Sequence, residues 1–446
     1  MEQWWYLGFS VFISLVCASL GKWIYRWSNP KCKGTLPPGS MGFPLIGETF
    51  SLIVTSNSID VHPFFTQRIK RYGSLFKTSI AGRAVVVSSD PDFNHFVLQQ
   101  DEKLVEFYYM DSLAKLVHYD NMNNMGGYFH RYIRRVVLAH FGHEPLKQNL
   151  SSEFEVVINR ELLEWTKLPQ VDLKHQTDPS INFTSRETYI VQKKNRALKL
   201  MREVVEERMK SNSNGEAEAE DYSEKGDFLE RIMGDIGKEA FSTMQFVSYF
   251  LFGLLIASTE TISATITLAA KFLLDNPSAF QQLTEEHERI LKDREDAEAG
   301  LSWAEYKSMT FTQYVIDETL RLMNLLPGML RRTITDIHVN GYTIPKGWIL
   351  MAIPTVHLDP NIYEDPLTFN PSRWKNVGAN TKAKNFIPFG GGNRACAGSE
   401  FSRVVVAVFL HIWVSKYRLT KIKGGDVARA PLLLFKNGFH VKVSEK

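Results

Sequence analysis

The sequence predicts a mainly α-helical protein with a minor β part, preceded by an N-terminal transmembrane helix. Three observations predict it: an uncharged apolar run at the start, short β-type runs near the front of the remaining chain, and helix-period stretches through most of the rest. Of 446 residues, 44% are hydrophobic, 23% charged and 12% aromatic, a balance that can bury a large core and excludes a disordered chain. Lys and Arg number 52 against 49 Asp and Glu, a formal +3 that is too small to imply nucleic-acid binding across the whole surface, so an electrostatic partner is expected to meet a local patch. Cys17, Cys32 and Cys396 are too few for a disulfide framework, which points to a reducing compartment.

The first element runs uncharged from Trp4 to Gly21, long enough at roughly 1.5 Å per residue to cross a bilayer core of about 30 Å. Trp4, Trp5 and Tyr6 flank one end, and Trp23, Tyr25 and Trp27 the other. Lys22, Arg26, Lys31 and Lys33 follow with no acid before Glu48, so everything after the anchor is expected on the cytosolic side. A cleaved secretory signal is the rival, but it requires a basic region before the apolar core, where only Glu2 stands. Pro37 and Pro38 then stiffen the segment Lys33 to Ser40. The expected division is an anchor with its basic flank at 1–33 and one domain at 34–446.

Within that domain, Ser74 to Thr78 and Ala84 to Ser88 read as strands around Gly82, and Asp90-Pro91 as a helix start. Helices are expected over Tyr132 to His140, Arg196 to Lys210, Thr243 to Leu274, Ser278 to Asp293, Thr312 to Met323 and Glu400 to Val414. Ser211 to Asp227 reads as a solvated loop, Gly341 to Trp348 as a hairpin, and Asp359 to Trp374 as Pro-dotted loop.

The stretch from Phe389 to Gly398, just before a helix, carries the most chemistry. Glycines let backbone N–H groups approach a sulfur, and a helix N-terminus stabilises a thiolate. Such a loop can present Cys396 as an axial ligand to haem iron, a chemistry that needs a single cysteine. Zinc would require further Cys or His ligands nearby, and the closest histidine in sequence, His411, stands alone. Gly390-x-Gly392-x-x-Ala395 formally fits a dinucleotide-binding turn, though Pro388 interrupts the preceding strand and no acid follows between Glu400 and Asp426. A buried structural cysteine beside a glycine turn is the remaining reading.

Phe389, Gly392, Arg394, Cys396 and Gly398 match in full the pattern that resembles the haem-binding signature of the cytochrome P450 family. The resemblance covers almost the whole chain and implies the P450 fold. It implies haem b with Cys396 as the iron ligand, Arg394 on a haem propionate and Phe389 beside the sulfur. Glu318 and Arg321 on one helix face, with Arg373, resemble the family's Glu-Arg-Arg cluster. Ala257-Ser258-Thr259-Glu260-Thr261 resembles its oxygen-activation motif, which makes Glu260 and Thr261 candidates for proton delivery and Ala257 a small residue facing substrate. Ser258 stands where many relatives have glycine, and Ile262 where many have a second threonine. Arg134, four residues after His130, and Arg331 are further candidates for the propionates, which arginine forks suit; many relatives have tryptophan at the position of His130.

The implied reaction is hydroxylation with dioxygen and two electrons from a membrane-bound, NADPH-dependent reductase, at the endoplasmic reticulum membrane. Arg131, Arg135, Arg403, Lys416, Arg418 and Lys421 are candidates for its basic docking face. Leu36 to Glu48, Tyr306 to Phe311 and Gly341 to Trp348 resemble plant members that oxidise sterols, brassinosteroids and triterpenoids, and Leu325, Leu326 and Met329 would then line an apolar pocket. Near 176–194 the chain looks short by about forty to fifty residues that would roof this pocket, judged by ordinary helix lengths. The second expectation is therefore a P450-like protein without turnover. An isomerase or dehydratase of the same fold is disfavoured, because such members tend to lose the threonine that Thr261 retains.

Overall fold

The computed structural model describes residues 2–108, 126–149, 153–176, 187–213, 228–238, 242–296 and 299–446. Its frame is helical. Met244–Asp275, 32 residues long, runs through the middle, opened by Thr243, whose hydroxyl accepts from the backbone N–H of Phe246 at 3.2 Å. Its C-terminal half, Ser263 to Leu273, is almost wholly buried, whereas Ala257 and Glu260 at its middle are exposed. Against it pack Pro277–Asp293, Thr310–Met323 and Ser399–Lys416, and the last carries ten buried residues from Val404 to Val414. Met244–Asp275 is long and apolar enough by composition to span a bilayer, and here it forms the core. The expected helices are all present, most of them longer at one or both ends; Arg196 to Lys210 lies inside Glu187–Ser213. The longest of the unforeseen helices are Glu153–Thr166 and Pro63–Tyr72, the latter with proline at its first position.

The larger sheet has five strands in the spatial order Leu75–Ile80, Arg83–Ser88, Ile349–Ala352, Met329–Thr333 and Val105–Phe107. Leu75 faces Ser88 across the expected hairpin, and Phe107 faces Arg331 at the far edge. The expected hairpin near Gly341 pairs Ile337–Val339 with Tyr342–Ile344. The β part also extends beyond expectation to the C-terminus, where Phe439–Glu445 pairs with Tyr417–Gly424 on one side and with Val171–Asp172 on the other. The Pro37-Pro38 segment lies on the larger sheet: Lys77 donates its backbone N–H to Pro38 O at 2.8 Å. Glu2–Ser28 is a 27-residue helix, and Trp27 near its end donates Nε1–H to Met41 O and Gly42 O at 3.2 Å. Residues 177–186, within the expected shortfall, and 214–227, most of the expected loop, lie outside the described residues.

His411, alone in the sequence, is paired in space. Its Nδ1 is 2.9 Å from Nδ1 of His287, whose Nε2 is 3.1 Å from the Thr312 hydroxyl, which donates to Glu286 at 2.6 Å. His357 accepts from the Ile387 N–H at 2.9 Å. Burial, before any neighbouring charge, holds His287 and His357 down to about 3 and His411 to about 4. All three fold neutral. With folded values below the unfolded value of about 6.5, their contribution is complete above that pH and is lost as pH falls toward the folded values. Urea unfolding at pH 5 should show roughly 6 kcal/mol less stability than at pH 7.5, given about 1.4 kcal/mol per unit and site. An unchanged midpoint over that interval would refute neutral burial of these rings.

Candidate active site

Cys396 sits on a loop shaped by hydrogen bonds. Its N–H donates to Phe389 O at 2.9 Å, and Ala395 N–H donates to Gly392 O at 3.1 Å. Gly392 has φ +65°, and a side chain there would place Cβ 2.0 Å from Leu98 O, so only glycine permits the loop to seat against the end of helix Pro91–Leu98. Cys396 is exposed, yet the surrounding protein raises its thiol by desolvation, while a hydrogen bond from Gly398 N–H and the charge of Arg134 pull the other way. Helix Ser399–Lys416 begins three residues after the sulfur.

Basic side chains from three elements converge beside this loop. Arg134, on helix Gly126–Phe141, donates to Ala395 O at 2.5 Å. Arg394 donates Nε–H to Asp101 at 2.7 Å, and the two side chains are 12% and 4% exposed. Arg331 is buried, its Nε without a hydrogen-bond partner among the described residues. Its guanidinium and that of Arg394 lie 5.2 and 5.8 Å from the centre of the Phe107 ring. Desolvation first, then Arg394 and Arg134, lower His130 to about 4, against opposition from Asp101 and Glu102. The sequence thus named Arg134, His130, Arg331 and Arg394, and the fold brings them together with Asp101 and Phe107, which it did not name.

Glu318, Arg321 and Arg373 also meet. The buried Glu318 carboxylate accepts from Arg321 Nε and Nη2 at 2.9 and 2.8 Å, Arg373 Nε at 2.9 Å, Trp374 Nε1 at 3.0 Å and the Asn370 N–H at 3.0 Å. On the central helix, Thr261 donates its hydroxyl to Ala257 O at 2.9 Å. Glu260 accepts from Lys174 at 2.9 Å, a partner supplied by the short helix Leu173–Gln176. Leu325 packs partly buried against the main core, Met329 against the sheet, and Leu326 is 58% exposed. Arg403 is no surface cation: it pairs with the buried Asp317 at 2.6 Å. Arg131, Lys416 and Lys421 are likewise engaged, with Glu102, Glu155 and Asp275. The basic face read from the sequence is largely neutralised within the chain.

The family model described as Cytochrome P450 matches residues 141–437. Beta-amyrin 16-alpha-hydroxylase CYP87D16 from Maesa lanceolata is 37% identical over 473 residues, covering 99% of this chain and 99% of its own. The chain belongs to the cytochrome P450 family. Cucurbitadienol 11-hydroxylase of Siraitia grosvenorii is 40% identical to this P450, with 95% and 96% of the two chains covered. Cholesterol 16,22-dihydroxylase CYP90G4 of Trigonella foenum-graecum is 32% identical, with 99% and 98% covered. The solved structure of a retinoic acid-bound cyanobacterial CYP120A1 superposes with a TM-score of 0.78 at 20% identity, over 93% of this P450 and 100% of that chain, which shows the fold.

This P450 is therefore a monooxygenase of the oxidoreductase class, and its family uses thiolate-bound haem. The residues present fit that group. A single accessible sulfur stands on the glycine loop, no cluster of three His, Cys, Asp or Glu competes among the described residues, and a buried arginine Nε lacks an acceptor that a haem carboxylate can supply. The alignment with the Maesa enzyme is 473 residues long, 27 more than the 446 of this P450, so that relative carries at least 27 residues without counterpart here.

Proposed function

We propose that this P450 hydroxylates an apolar substrate of sterol or triterpenoid type, with Cys396 as the thiolate ligand of haem b and electrons from an NADPH-dependent reductase. The accessible Cys396 sulfur on its hydrogen-bonded loop, beside the Arg134, Arg331 and Arg394 cluster, carries the reading. Haem, when bound, supplies reductive activation of dioxygen and insertion of one oxygen atom into a C–H bond. The chain's own part is to hold, orient and supply protons. Arg134, Arg331, Arg394 and His130 would hold the haem carboxylates, and Phe389 would pack beside the sulfur. The small side chain of Ala257 leaves room for a substrate that Leu325, Leu326 and Met329 contact. Thr261 can release its bond to Ala257 O and turn its hydroxyl to pass a proton. Glu260, steadied by Lys174 and more than half exposed, can renew that proton from water.

The sterol and triterpenoid hydroxylases among its relatives support the substrate class. Membrane anchoring is supported by helix Glu2–Ser28, roughly 40 Å long at 1.5 Å per residue, which exposes Phe9, Phe12, Leu15 and Leu20. We place the protein in the endoplasmic reticulum membrane as a single-pass chain with its catalytic domain cytosolic.

Reduced protein exposed to carbon monoxide should show the red-shifted band of thiolate haem, and with reductase and NADPH it should oxidise a member of a sterol and triterpenoid panel. Thr261→Ala should keep the band and lower product formed per NADPH by about 10²-fold, a general acid–base contribution of ordinary size. Unchanged coupling would remove Thr261 from proton delivery. The residues that the Maesa relative has in excess favour a second reading, a haem-binding chain without turnover. The band without any product across the panel would select it.

A further inference from the structure

Asp101 belongs to no motif, yet it lies at the centre of the basic cluster. The turn after helix Pro91–Leu98 carries it there: Glu102 N–H donates to Val105 O at 2.8 Å, and Leu98 O abuts the Cys396 loop at Gly392. One carboxylate oxygen is bonded to Arg394 at 2.7 Å. The other, like Arg331 Nε, is buried without a hydrogen-bond partner among the described residues. Phe107, opposite Arg331 across the strand pair, packs beside both guanidinium groups.

The charges can be counted. Arg134, Arg331 and Arg394 bring three positive charges beside the cysteine loop. The two carboxylates of haem would balance two of them, and a buried charge without a partner is strongly unfavourable. We propose that Asp101 is the third carboxylate, a positioning residue that neutralises this arginine cluster and thereby keeps the reduction potential of the bound haem low. Reduction adds one negative charge at the metal. A neutral surround does not assist it, whereas an excess guanidinium would. The inference rests on the haem-thiolate reading.

The test is the midpoint potential of the haem-loaded protein by spectroelectrochemical titration, with the carbon monoxide band recorded for every variant. Asp101→Asn should shift the oxidised-to-reduced ratio about tenfold toward reduced haem, an upward shift of about 59 mV for one electron. Asp101→Ser, which leaves room for water, should shift it in the same direction, and Asp101→Glu should restore the wild-type value. Glu102→Gln serves as a control, because that carboxylate is 44% exposed in its pair with Arg131 and solvent screens it; its potential should stay within twofold in ratio. Potentials of the Asn and Ser variants equal to or below wild type, with the band present, would overturn the role of Asp101 alone. A wild-type protein without the band would instead overturn the haem-thiolate reading.

Discussion

Cys396→Ala should abolish the red-shifted carbon monoxide band and all product formation, while the circular dichroism of the fold stays that of wild type. The loop does not need the sulfur for its shape. Its bonds run through backbone atoms, from Cys396 N–H to Phe389 O and Ala395 N–H to Gly392 O, and its close approach to Leu98 O depends on Gly392. Alanine can adopt the same backbone, so the variant isolates ligation from folding. Cys17 and Cys32 are the other cysteines, one in the N-terminal helix and one just beyond it, and neither is positioned by this loop. Persistence of the band in Cys396→Ala would assign the iron to another ligand and remove the basis of the proposed reaction.

Glu318→Ala should lower stability by about 3–5 kcal/mol, the cost of stripping one partner from a buried ion pair. The Glu318 carboxylate takes five hydrogen bonds, and the Arg321 side chain beside it is 0% exposed. Without the acid, two guanidinium groups remain in a dry environment, although Arg321 keeps the carbonyls of His357 and Pro366, each at 2.7 Å. The effect should reach the site, because Trp374, which also donates to Glu318, packs at a tilt against Phe386, ring centres 4.6 Å apart, only ten residues before Cys396. Haem loading should therefore fall together with the urea midpoint. A full complement of haem at a lowered midpoint would show that the cluster supports the fold without supporting the cysteine loop, and an unchanged midpoint would refute the cluster as a buried anchor.

The site was legible where its chemistry is local in the chain. From Phe389 to Gly398 the spacing of glycines around one cysteine is written within ten residues, and Glu318 with Arg321 within one helical turn. Arg373 was within reach only through the family's pattern, since 55 residues separate it from Glu318. Asp101 was not legible: 293 residues separate it from Arg394, and nothing in its neighbours marks it as buried. The same distance effect hid the pairing of His287 with His411, 124 residues apart, and the capture of Glu260 by Lys174, 86 apart. Arg403 misled for the converse reason, since a basic residue near a helix start looks solvated until Asp317 is folded against it.

The sequence by itself determined the class of fold and the long central helix, because hydrophobic period acts over one or two turns of chain, and through its likeness to a family signature it marked the candidate ligand loop. Only the tertiary structure decided which charges are buried, which cations are paired within the chain, and which carboxylate lies against Arg394 beside the Cys396 loop. Those outcomes depend on desolvation and on Coulomb interactions between residues hundreds of positions apart, and neither exists until the chain has closed around them.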